Sequence, residues 1–84
     1  MLIRVFGSND CEKCKELLRD LQLYKMNFVF VDANDDKNQE LCDLHDVDEL
    51  PHVQVIRNKN ILAQYIGSES VLQIRKLAKK KNNV

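Results

Sequence analysis

Apolar positions follow two rhythms along this chain. Leu2-Ile3-Arg4-Val5-Phe6 is short and largely apolar and reads as a first strand. Gly7-Ser8-Asn9-Asp10 is a loop by composition. Cys14, Leu17, Leu18 and Leu21 then recur at i, i+3, i+4 and i+7, the apolar stripe of an amphipathic helix. Phe28-Val29-Phe30-Val31 is continuously apolar and ends at Asp32. Such a run fits a strand buried on both faces and paired in parallel. Strand, helix and strand make a βαβ unit, whose crossover should be right-handed.

The second half continues the alternation. Ala33-Asn34-Asp35-Asp36 is a polar loop rich in helix-capping residues. A second helix is expected from Lys37 to about His45, with Leu41 and Leu44 among its apolar positions. Leu50-Pro51 breaks the chain, Val53 to Ile56 forms a third strand, and Ile61 to Ile66 a fourth. The polar turn Arg57-Asn58-Lys59-Asn60 joins them as a hairpin. Gly67 ends the strand at a backbone position suited to positive φ. Ser70, with Gln73 three residues on, predicts a capping box opening a last helix. Val71, Ile74, Leu77 and Ala78 would be its buried face.

The order β-α-β-α-β-β-α predicts an α/β fold: a mixed four-stranded sheet with three helices covering both faces. The 84 residues suit one domain, expected over 1–79, with residues 80–84 as a fraying tail.

Thirteen basic and thirteen acidic side chains give zero formal charge, which argues against a nucleic-acid grip. Lys76, Lys79, Lys80 and Lys81 read as a solvated last helical turn. No stretch approaches the ~18 apolar residues of a membrane span, and the N-terminus lacks a signal-peptide core. A cytoplasmic monomer is therefore expected. Three cysteines are too few, and odd in number, for a disulfide framework. Redox or metal chemistry is the better expectation.

Cys11-Glu12-Lys13-Cys14 concentrates that chemistry. Cys11 falls at the mouth of the first helix, where free backbone N–H groups and the helix dipole favour negative charge. The thiolate is the nucleophile of disulfide exchange. Cys14, one turn on, opens the buried stripe, so two sulfurs can meet across that turn. Cys11, Cys14, Cys42 and His45 also form a Cys₃His set that zinc accepts, which makes a structural metal module the competing reading. His52 weighs as a structural histidine or as one that tunes the thiols.

The paired cysteines after the first strand of a βαβ unit, the proline before the third strand, the hairpin and the glycine before a final helix together resemble the thioredoxin fold. The likeness is greatest to glutaredoxins and short thioredoxins and covers Leu2 to about Ala78. It implies a thiol–disulfide oxidoreductase with Cys11 as nucleophile and Cys14 as resolving thiol, the two forming the redox disulfide. Val47-Asp48-Glu49-Leu50-Pro51-His52-Val53 resembles the segment that presents a cis-proline. There Leu50 and Pro51 would pair with an extended substrate. Gly67, Ser68 and Glu69 match the turn that holds the γ-glutamyl end of glutathione in glutaredoxins, and Lys13 would join them in substrate binding. Val5 stands where thioredoxins carry a buried aspartate, and Ser8 where many glutaredoxins carry a lysine.

The resemblance also implies no tightly bound cofactor, with glutathione a candidate co-substrate. Its partners would be a protein disulfide, ribonucleotide reductase being one family client, and a reductant. That reductant would be glutathione or a thioredoxin-reductase-type flavoenzyme. A thioredoxin-like domain kept only for binding is the remaining alternative.

Overall fold

The computed structural model describes residues 1–82. Strand β1 spans Leu2–Gly7, helix α1 Glu12–Leu23 and strand β2 Phe28–Asp32. A single 3₁₀ turn, Asp36–Asn38, leads into the short helix α2, Gln39–Leu44. Strands β3, His52–Arg57, and β4, Asn60–Ile66, precede helix α3, Ser70–Asn82. The expected order of elements is present. Helix α3 runs into the segment expected to fray, and residues 83 and 84 of that segment lie outside the described residues.

The sheet order is β2-β1-β3-β4. Strand β1 pairs in parallel with β2 (Val5 opposite Phe30) and antiparallel with β3 (Val5 opposite Val53). The β3–β4 hairpin turns on Asn58 and Lys59, both at positive φ, 52° and 69°. This is the type I′ geometry whose twist matches that of paired strands. The register shifts between Val55 and Ile56, so Leu62 is left as the extra residue of a bulge.

Strand alternation sorts the side chains into two faces. Ile3, Val5, Val53 and Val55 join Leu17 and Leu21 of α1 and Val71 and Ile74 of α3 in the core. Burial of these residues, each at most 4% exposed, is the main stabilising term. The opposite face is covered by α2, whose C-cap residue His45 approaches the Phe6 ring at 6.1 Å between centroids. That face is polar. Arg4 Nη1 donates to Gln54 Oε1 (3.0 Å), and Gln54 Nε2 donates to Gln64 Oε1 (3.2 Å). The same Gln64 oxygen takes a bond from His52 Nε2 (2.9 Å). Gln54 is fully buried, and this chain of bonds satisfies it.

Three local expectations are corrected. The apolar run of β2 is not buried on both faces. The βα crossover places β2 at the sheet edge, with β1 on one side only, and Val29 and Phe30 are exposed. In α2 the buried residue is Cys42, while Leu44 is 73% exposed, because the six-residue helix offers too narrow a face to bury both. Ser70 does not close a capping box. It is the first residue of α3, and its hydroxyl donates backwards to the Gly67 carbonyl at 2.6 Å.

Candidate active site

The β1–α1 junction builds the site. Cys11 is the N-cap of α1, with extended backbone (φ −96°, ψ 110°). Its Sγ accepts the amide N–H of Cys14 at 3.1 Å, taking the place usually filled by a serine or aspartate oxygen. Its own N–H donates to the Ser8 carbonyl at 3.2 Å. The sulfur is thus aimed along the first turn of α1, on a residue that is only half-buried. Cys14 is 1% exposed and sits under that turn against β1.

The two thiols have different environments. Burial, then the hydrogen bond and charge of Cys11, push the Cys14 thiol up to about 11, against a smaller opposing bond from the Ser8 backbone. At neutral pH Cys14 is therefore a protonated thiol lying behind the half-buried Cys11. Burial, with Asp43 adding, also pushes the Cys42 thiol up.

A second loop flanks the pair. The Leu50–Pro51 peptide is cis, as expected. Pro51 is buried and Leu50 half-buried. The Pro51 carbonyl accepts the Gly67 N–H at 3.0 Å, which ties this loop to the turn after β4. Gly67 has φ +101°, the conformation expected of it. Lys13, Gly67, Ser68 and Glu69 meet around one surface groove of about 280 Å³, together with Ile66, which is 56% exposed. Residues far apart in sequence are thus gathered beside the first turn of α1.

Other candidates fall elsewhere. His45 lies tilted against Phe6, on the face opposite Val5, whereas Cys14 packs against Gly7 on the Val5 face. The sheet therefore separates the halves of the Cys₃His set, and among the described residues no cluster of three or more His, Cys, Asp or Glu could share an ion. His52 is 6% exposed and meets the Phe6 ring edge-on at 5.7 Å. Its Nε2 must carry the proton, because Gln64 Oε1 already accepts from Gln54. This is a structural histidine.

Gly7, a loop residue by composition, is the last residue of β1, where an added Cβ would lie 3.0 Å from Cys14 Sγ. A glycine seven residues before the second cysteine was the signal available. Asn34, in a loop whose composition suggests only helix capping, also supports the site. Its Nδ2 donates to Ser8 Oγ at 2.8 Å and so fixes the loop before Cys11 from the neighbouring loop after β2.

Comparison with solved structures places this architecture. The chain superposes on thioredoxin f2 of Chlamydomonas reinhardtii with a TM-score of 0.78 at 24% identity, covering 94% of this chain and 77% of that one. Thioredoxin 1 of Thermosipho africanus gives 0.75 at 19% identity, over 99% of this chain and 100% of that one. The thioredoxin of Trypanosoma brucei brucei gives 0.76 at 24%, over 98% and 75%. These likenesses establish the fold. No curated protein sequence matches significantly. The sequence profile of the thioredoxin family matches residues 1–80, nearly the whole length, and supports a function of thiol–disulfide oxidoreductase type. On the fold, the position of the cysteine pair and this match, the chain belongs to the thioredoxin family.

Proposed function

We propose that the chain reduces disulfides through a Cys11–Cys14 dithiol. The observation that carries this reading is the pairing of a half-buried Cys11 at the helix N-cap with a buried Cys14 one turn behind it. The Cys11 thiolate attacks one sulfur of the substrate disulfide. A Cys11–substrate bond forms, the substrate S–S bond breaks, and the leaving thiolate takes a proton. Cys14 then loses its proton and attacks Cys11 Sγ, releasing the second substrate thiol and leaving a Cys11–Cys14 disulfide. Two electrons and two protons pass to the substrate.

The second step sets a requirement. The Cys14 proton is held tightly, and the fully buried Val5 offers no base. The departing substrate thiolate, bound next to the pair, is the acceptor at hand. The N–H of Cys14 bonds Cys11 Sγ in the reduced state and so favours the Cys11 thiolate that makes the first attack.

The groove formed by Lys13, Ile66, Gly67, Ser68 and Glu69 supports a substrate path beside Cys11. Its mixed character suits a peptide or glutathione: Lys13 for a carboxylate, Glu69 for an amine, Ile66 for apolar contact. The Leu50–Pro51 loop is tied to this groove through the bond of Gly67 to the Pro51 carbonyl and would hold the substrate from that side. The protein would work as a cytoplasmic monomer without a bound cofactor. Oxidised protein is returned to the dithiol by glutathione or by a flavoenzyme reductase, and the client is a protein disulfide such as that of ribonucleotide reductase.

The test is the Cys14→Ser variant incubated with a disulfide-bonded substrate. A mixed disulfide should accumulate on Cys11, visible by mass and reversed by dithiothreitol. Absence of any adduct would leave a binding domain rather than a reductase. Re-reduction of the wild-type disulfide by glutathione, or by NADPH with thioredoxin reductase, then identifies the reductant.

A further inference from the structure

A second cavity lies on the opposite face of the sheet and at its other end, where β1 begins. It has a volume of about 670 Å³, within the range of small-molecule sites. Arg4, Arg57, Lys59 and His45 line it with Asn27 and Asn58, and the rest of its lining is apolar. No carboxylate lines it.

This segregation is notable in a chain of zero formal charge. Among the described residues, the ion pairs are Lys15–Glu12 and Lys37–Asp35, so Arg4, Arg57 and Lys59 have no carboxylate partner there. Arg4 is the informative member. It is half-buried, held by its bond to Gln54 and by the Phe6 ring 6.0 Å from its Cζ. One of its five N–H donors is committed to Gln54. A fixed, partly desolvated guanidinium without a counter-charge is costly unless an anion supplies one, and its planar fork suits phosphate oxygens.

We infer that this cavity binds a small organic phosphate, with Arg4 as the anchoring cation. Arg57 and Lys59 project from the tight β3–β4 turn and add positive charge at the rim. A phosphate monoester, largely dianionic at neutral pH, matches several cations better than a lone carboxylate does. The apolar part of the lining receives the organic body, and the two asparagines offer it hydrogen bonds. The site is independent of the dithiol, which lies at the far end of β1 on the other face.

The experiment is a two-dimensional NMR titration of the reduced protein at low ionic strength, with AMP and separately with orthophosphate. AMP should shift the amides of Arg4, Arg57, Asn58 and Lys59 saturably and leave those of Cys11 and Cys14 in place. It should bind at least about tenfold more tightly than orthophosphate. Arg4→Gln should abolish the shifts, and Arg57→Gln with Lys59→Gln should weaken binding by about tenfold or more. The double variant lies on an exposed turn, so its fold is not at risk, and disulfide reduction should be unchanged in it. Three results would overturn the inference: no saturable shift up to ~10 mM, equal affinity for AMP and orthophosphate, or undiminished binding by the variants.

Discussion

Gly7 and Cys14 occupy adjoining space: a methyl group on Gly7 would lie 3.0 Å from Cys14 Sγ and 3.3 Å from its Cβ. The missing side chain of β1 is what lets the buried cysteine settle against the strand, directly behind Cys11. The same methyl would stand 2.8 Å from Phe30 Cε1. Phe30 is 37% exposed and can swing outward, but Cys14 is enclosed.

Gly7→Ala should therefore displace Cys14. Overpacking of this kind costs roughly 1–3 kcal/mol, to be read from urea denaturation of the reduced protein. Because the resolving sulfur moves while Cys11 stays at the helix mouth, the mixed disulfide should live longer. Unchanged stability together with an unchanged resolving rate would show that the site has slack the structure does not reveal.

The raised Cys14 thiol makes a prediction about pH. Its folded value, about 11, lies above the ordinary 9.0, so between these limits the folded protein holds a proton that the unfolded chain releases. The stabilisation is fully present below pH 9 and is lost as pH rises toward 11. Reduced wild type should lose more stability between those limits than Cys14→Ser, in which the titrating group is gone. Parallel curves would contradict the assignment. The resolving step should accelerate over the same window as the thiolate fraction grows.

Gly67 stands at φ +101° with open space around its Cα. Gly67→Ala meets no neighbour, so any cost is backbone strain, about 1–2 kcal/mol. The Gly67 N–H bond to the Pro51 carbonyl should weaken with it. Thermal denaturation measures the first effect, and unchanged or slower amide exchange at position 67 would contradict the second.

Two leucines test the corrected packing. Leu21 is fully buried between α1 and the sheet, whereas Leu44 is 73% exposed on α2. Leu21→Ala should cost roughly 2–5 kcal/mol, and Leu44→Ala no more than about 0.5 kcal/mol. Chemical denaturation midpoints decide it. A large loss at Leu44 would mean that α2 packs more deeply than it does here.

The groove at the site can be probed without touching the cysteines. Lys13→Gln and Glu69→Gln should each raise KM for a glutathione-derived disulfide by several-fold, because exposed charge pairs contribute at most about 1 kcal/mol. The kcat should hold, since neither group reaches the sulfurs in the proposed exchange. Steady-state kinetics with the glutathione disulfide and with a protein disulfide would separate the two substrate classes.

Much of this molecule is written in local periodicity. The 3.6-residue stripe of Cys14, Leu17 and Leu21 specified α1 and, with it, the place of Cys11 at a helix mouth. The turn at Gly67 was readable because glycine reports backbone geometry directly, the hairpin because a short polar run parts two apolar ones, and the cis bond before Pro51 through the resemblance of its segment to the thioredoxin fold. Periodicity says which residues want burial, but not which strands have two neighbours. An apolar run reads the same at the centre and at the edge, so only the strand order revealed that Val29 and Phe30 are exposed. The gathering of Lys13 with Gly67, Ser68 and Glu69, the space Gly7 leaves for Cys14, and the anion-ready face around Arg4 are all contacts between distant segments. Their energies depend on distances that close only when the sheet forms; the first was implied by the family resemblance, and the other two were decided by the tertiary structure alone.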